Sequence, residues 1–168
     1  MKKQSGLLRR LTALALALCM LAALTAEIFA ADTVASGYCG GEGDGKNLTW
    51  TLDSEGVLTI SGLGKMKDYE NDNKNRAPWY SSRKSLKKLV LKSGITSIGD
   101  YAFFDCSNLT GDLKIPSNVH SIGENAFGYC SGFNGSLTIE NGVVEIKKYA
   151  FYHCKGFTGS LKIPNSVR

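Results

Sequence analysis

The chain has 168 residues, 43% hydrophobic and 21% charged, a balance that excludes a disordered polyelectrolyte and fits a packed domain or repeat array. Its formal charge of +5 is concentrated at the start: without residues 1–31, which hold Lys2, Lys3, Arg9, Arg10 and Glu27, 16 basic residues face 14 acidic ones, about +2. So even a balance does not call for a nucleic-acid partner, which would want a concentrated basic stripe, and none is expected.

The first predicted element is an export leader over residues 1–31. Lys2, Lys3, Arg9 and Arg10 precede an apolar run from Leu11 to Ala26, and small residues follow at Ala30, Ala31 and Ala35. That order is a secretory signal peptide, with cleavage after any of the three alanines left open. The apolar run has 16 residues, short of the roughly 20 that span a bilayer, so no membrane span is expected in the mature chain. Cys19 is not read as a lipid-anchor site, because Leu18 stands where a small residue is needed.

Residues 36–84 are predicted to form an amino-terminal β-hairpin cap. Gly40 to Lys46 match the first seven places of a phosphate-binding loop, but Asn47 replaces the magnesium-binding hydroxyl and a strand pattern follows instead of a helix. The segment is therefore read as a flexible glycine-rich lead-in. Leu48–Leu52 and Val57–Ser61 flank a turn at Asp53–Gly56, and their alternation makes Trp50, Leu52, Leu58 and Ile60 the buried face. Lys65–Arg76 is polar and expected to be a mobile loop; its acidic stretch Asp68–Asn73 lacks the turn glycine and distant glutamate of a calcium loop. Ala77-Pro78-Trp79-Tyr80 is predicted as a short helical or turn segment pinned by its aromatics.

From about Ser85 the chain repeats every 24 residues. Leu89, Leu113, Leu137 and Leu161 share one column, and Leu91, Ile115, Ile139 and Ile163 another. Further columns hold Ala102, Ala126 and Ala150; Phe103, Phe127 and Phe151; and Cys106, Cys130 and Cys154. Leu-x-Ile has period two, so it is a short strand with both apolar side chains inward. Ile-Gly-x-x-Ala-Phe-x-x-Cys changes to a spacing of three or four, which predicts one or two turns of helix with Ala, Phe and Cys inside. Gly99 and Gly123 mark the bend between the two, through a positive φ or a close approach; Lys147 in the same column must adopt an ordinary conformation or be strained. One unit buries too few side chains to offset the entropy of ordering it, so units must stack over a shared core.

The four cysteines after the leader, Cys39, Cys106, Cys130 and Cys154, invite a disulfide reading in an exported chain. Three of them occupy one column, and parallel Cβ vectors one coil apart fit a disulfide dihedral near 90° poorly. Free, buried thiols are expected. His120 shares its column with Thr96 and Val144 and is read as solvent-facing. His153 next to Cys154 suggests a nucleophile pair only until its column, with Asp105 and Tyr129, is considered. No catalytic set, metal site or cofactor is expected.

The unit I-P-x-x-V-x-x-I-G-x-x-A-F-x-x-C resembles the leucine-rich repeat of BspA-like surface proteins. The segment from Cys39-Gly40-Gly41 through Leu48–Leu52 and Val57–Gly62 to Ala77–Tyr80 resembles the amino-terminal region common in that family. The expected fold is an α/β-type repeat: a leucine-rich-repeat solenoid with a short parallel β-ladder and short helical or turn segments opposite it, comprising three complete units and a truncated fourth over 85–168. The chain stops at Arg168 inside a unit, and a fragment of a longer product is expected. The resemblance implies a bacterial protein, secreted or at the cell surface, that adheres to host extracellular matrix or cell-surface proteins or to other microbial surfaces; the alternative is a structural spacer without a specific ligand. Side chains flanking the inward Leu and Ile then form the expected binding face: Lys88 and Val90, Asp112 and Lys114, Ser136 and Thr138, Ser160 and Lys162.

Overall fold

A computed structural model describes residues 31–168, so the leader assigned to 1–31 lies, but for Ala31, outside the described residues. The described strands, in chain order, are β1 (Thr33–Tyr38), β2 (Leu48–Asp53), β3 (Val57–Gly62), β4 (Gly64–Lys65), β5 (Lys88–Leu91), β6 (Ile95–Ile98), β7 (Leu113–Ile115), β8 (Ser121–Ile122), β9 (Leu137–Ile139), β10 (Glu145–Ile146) and β11 (Leu161–Lys162). They make three sheets, ordered β1-β2-β3-β5, β4-β6-β8-β10 and β7-β9-β11. From β6 onward every pair is parallel with a register of 24 residues, as in Leu113 beside Leu137 and Ser121 beside Glu145. The sequence period is therefore one coil of a stack, and residues 33–168 form one compact unit.

The columns are a core. Phe103 and Phe127 are fully buried, and their rings stack with centroids 5.1 Å apart; Phe151 continues the row at 5.3 Å from Phe127. Ile98 and Ile122, Ala102 and Ala126, and Cys106 and Cys130 are buried in parallel with them. Gly99 and Gly123 serve close approach alone: neither has a positive φ, but a Cβ on Gly99 would strike the Lys67 backbone and one on Gly123 the Asp100 backbone. Lys147 manages the same bend without a positive φ.

The predicted helical turns are absent. Residues 99–106 and their counterparts are successive tight turns, with Ala102, Phe104 and Cys106 N–H groups donating to the carbonyls of Gly99, Tyr101 and Phe103. The alternate N–H groups, of Tyr101, Phe103 and Asp105, donate to Glu124, Ala126 and Gly128 in the next coil. Coil spacing explains this. The Phe rings on this side are just over 5 Å apart, matching the ~4.8 Å between strands, whereas a helix with its side chains is about 10 Å wide and cannot stack at that rise.

The amino-terminal segment joins the stack more closely than its sequence suggests. β2 and β3 pair antiparallel, and β3 pairs parallel with β5 at a register of 31, so it is a strand of a preceding coil that carries seven extra residues. Trp79, 24 residues before Phe103, stacks on it at 5.4 Å and begins the aromatic row. The extra residues in Lys65–Arg76 are tied down: Met66 and Tyr69 are buried, and the Tyr69 N–H donates to the Asp100 carbonyl. Asp68 Oδ1 accepts the Asp100 N–H, and Asp72 Oδ1 accepts those of Lys74 and Asn75, which ties the acidic stretch to backbone. The glycine-rich lead-in is likewise held, because the Asn47 side chain accepts from Glu42 N–H and donates to the Leu63 and Lys65 carbonyls. Polar side chains satisfying backbone inside the loop were misread as solvation.

Candidate functional site

The outward residues of the strand ladder do not form one continuous face. β5 pairs with β3, while β7 opens a separate sheet, so Lys88 and Val90 stand across a seam from Asp112 and Lys114. An opening of about 290 Å³ lies at the seam, lined by Leu89, Val90, Leu91, Lys114 and Pro116. The single eight-residue surface expected from the repeat is thus divided in two.

Within the second part, two of the expected ligand-binding residues are occupied inside the protein. Asp112 Oδ1 accepts the Ser136 N–H at 2.7 Å, and Ser136 Oγ accepts the Ser160 N–H at 3.1 Å, so these side chains tie coil to coil. Lys114, Thr138 and Lys162 lie side by side in register on β7, β9 and β11. Glu140, which the sequence reading passed over, lies between the lysines: its carboxylate is 3.1 Å from Lys114 Nζ and 4.0 Å from Lys162 Nζ, and the hydrogen bond from Lys114 holds its pKa below the ordinary glutamate value. The face is a positive row with one shared carboxylate.

A second ladder, β4-β6-β8-β10, was not legible in the sequence. It floors a groove of about 440 Å³, lined among others by Lys65, Lys67, Ser97, His120, Ser121 and Lys147 from four successive coils. Lys147 Nζ lies 3.2 Å from Asp100 Oδ1 across the intervening coil, and His120 is exposed as expected. Each strand has only two to four residues, too few for an alternation to be read. The repeated polar pair Thr96-Ser97 and His120-Ser121 was the available signal.

The cysteines of the described residues sit in the core or at its margin. All four in the described residues are free thiols. Cys130 Sγ lies 3.0 Å from the Phe103 carbonyl and Cys154 Sγ 3.0 Å from that of Phe127, so each donates its S–H to the coil before. His153 stacks on the Tyr129 ring at 5.0 Å, and the Cys154 thiol is engaged with backbone instead of with this imidazole. Burial pushes the Cys39 and Cys106 thiols up to about 12, raises Cys130 as well, and moves half-buried Cys154 to about 11. With thiolate the attacking form, iodoacetamide at pH 8 is expected to leave Cys106 and Cys130 unmodified in the folded protein and to reach Cys154 first. Mass spectrometry after timed quenching checks this; labelling of Cys130 as fast as in urea would contradict the burial.

No curated protein matches the chain. Among solved structures, a leucine-rich repeat protein from Eubacterium ventriosum is 30% identical, with a TM-score of 0.56 over 80% of this chain and 39% of its own. A leucine-rich cell surface protein from Faecalibacterium prausnitzii is 18% identical, with a TM-score of 0.37 over 81% of this chain and 44% of its own. This chain therefore spans less than half the length of either. Six copies of the BspA-type leucine-rich repeat region match residues 77–168, a stretch that starts with the Ala77-Pro78-Trp79 segment now seen at the head of the aromatic row. With its 24-residue parallel coils and stacked phenylalanines, the chain belongs to the BspA-type leucine-rich repeat family.

Proposed function

We propose that this chain is an exported, non-enzymatic adhesion protein that binds a host matrix or cell-surface protein, or another microbial surface, through side chains repeated from coil to coil. The observation that carries the proposal is the in-register row Lys114, Thr138 and Lys162, which offers a partner the same contact geometry on successive coils. The groove on the second ladder adds Lys65, Lys67 and Lys147 on another side of the stack. Export rests on the leader over 1–31, and among the described residues no helix is long and apolar enough to cross a membrane. The non-enzymatic reading draws support from His153 and Cys154, whose polar groups are turned to packing and backbone. In this reading the stack is a solenoid, with hairpin β2–β3 covering the core of its first coil through Trp50, Leu52, Leu58 and Ile60.

Charge reversal tests it. The double variant Lys114→Glu/Lys162→Glu alters exposed side chains and is expected to melt like the parent while lowering attachment of intact cells to immobilised matrix protein roughly tenfold, as rim charges act mainly on association. Attachment equal to the parent at low and at physiological salt would remove the ladder face from consideration.

A further inference from the structure

Three alanines, Ala30, Ala31 and Ala35, fit the end of the export leader, and the sequence leaves the choice among them open. The fold distinguishes them. Strand β1 begins at Thr33, so a cut after Ala35 would fall inside a strand. β1 is the outermost strand of its sheet and pairs antiparallel with β2. Thr33 stands opposite Asp53 and Ala35 opposite Leu52, with a break in register between the two pairs. Ala35 is half-buried and packs against the core. Thr33 to Ala35 therefore cover the carboxyl-terminal end of β2.

That strand is a hazard when bare. Leu48-Thr49-Trp50-Thr51-Leu52 contains no charge, proline or glycine and alternates apolar residues with threonine. An uncovered edge of this kind offers its backbone N–H and C=O groups to a strand of another molecule. β1 is a poorer template, because it is short, its register is broken near its start, and charged Asp32 precedes it. Removal through Ala35 takes away the aspartate and the break. It leaves only Ser36, Gly37 and Tyr38 opposite Thr51, Trp50 and Thr49, with Leu52 and Asp53 uncovered.

We propose that signal peptidase removes the leader at the bond after Ala30 or after Ala31, and that residues 32–35 stay on the mature chain to guard its sheet edge. The proposal rests on the export reading. Leader length agrees with it: residues 30 and 31 lie at the end of the ~15–30 residues such leaders occupy, and residue 35 lies beyond. Local pattern pulls the other way. Thr33-Val34-Ala35 is the closest match to small-x-small, since Ile28 and Phe29 hold the corresponding places for Ala30 and Ala31. Pattern and fold thus name different bonds, and the first residue of the mature chain decides between them. The step is a hydrolysis: water adds across one peptide C–N bond, leaving a carboxylate on the leader and an α-amino group on the mature chain. The cut precedes folding, so β1 does not steer it; β1 determines which product closes the edge of the sheet.

Producing the full chain in an exporting bacterial host, then taking the intact mass and amino-terminal sequence of the released protein, tests the cut. Ala31 or Asp32 is expected as the first residue. Any other start, Ser36 above all, overturns the proposal while leaving export intact; a chain kept in the cytoplasm with Met1 in place overturns both. The guard is tested apart from export, on two chains made without a leader, one starting at Asp32 and one at Ser36. The Ser36 chain is expected to melt about 4 °C or more below the Asp32 chain and to self-associate as concentration rises. Equal melting, with equal mass in sedimentation at every concentration, overturns the guard role. Should the Ser36 chain fail to fold, residues 32–35 are needed by the fold itself, and the first-residue determination still decides the cut.

Discussion

Phe127→Ala is expected to lower the unfolding free energy by about 3–5 kcal/mol, the largest effect of any single core truncation in the repeats. Phe127 is fully buried between Phe103 at 5.1 Å and Phe151 at 5.3 Å, with the three rings close to parallel. Alanine there removes stacking on both sides and leaves a void between coils that their backbone hydrogen bonds prevent from closing. Because each coil packs its core only against its neighbours, the damage is expected to uncouple the stack. Urea denaturation followed by tryptophan fluorescence and by circular dichroism should then give separate midpoints, since Trp50 and Trp79 report only the amino-terminal coils. Phe151→Ala, at a half-buried site, is expected to cost roughly half as much. A loss below about 1 kcal/mol for Phe127→Ala would show that the rings do not hold the coils together.

Trp79→Ala is expected to cost about as much, ~3–5 kcal/mol, whereas Trp79→Phe should cost only ~1 kcal/mol. The indole is 1% exposed, stacks on Phe103 at 5.4 Å, meets Trp50 and Tyr69 edge-on, and donates its Nε1–H to the Ala102 carbonyl at 2.9 Å. Phenylalanine keeps the row and gives up the hydrogen bond; alanine gives up both and opens the head of the core. Equilibrium unfolding of both variants distinguishes the roles. Equal losses would mean that the hydrogen bond and indole volume matter and the row does not, while a small loss for alanine would detach the 77–80 segment from the stack.

How far the fold could be read varies along the chain, and particular residues show why. The Leu-x-Ile strands and the Phe and Cys columns were legible because translation by one coil puts like residue over like, and burial then demands the same residue type every 24 positions. Trp79 carried the same spacing to Phe103 but a different residue type, and the seven-residue expansion ahead of it hid the register. The turns at 99–106 were misread as helix because successive turns closed by i to i+3 bonds place inward side chains at the same three-to-four spacing. Of the expected binding residues, Lys114, Thr138 and Lys162 stand in one row, but Asp112 and Ser136 proved to be coil-to-coil ties, and Glu140 entered unannounced.

The amino-acid sequence by itself determined the coil length and which columns are buried, because these follow from periodic burial alone, and the motif of its unit carried the resemblance to the family. Only the tertiary structure decided that the outer segments are left-handed turns, that β5 and β7 part at a seam, and that a second ladder exists. Each depends on which N–H meets which carbonyl two dozen residues away at a spacing near 5 Å, and no local pattern of residues records that choice.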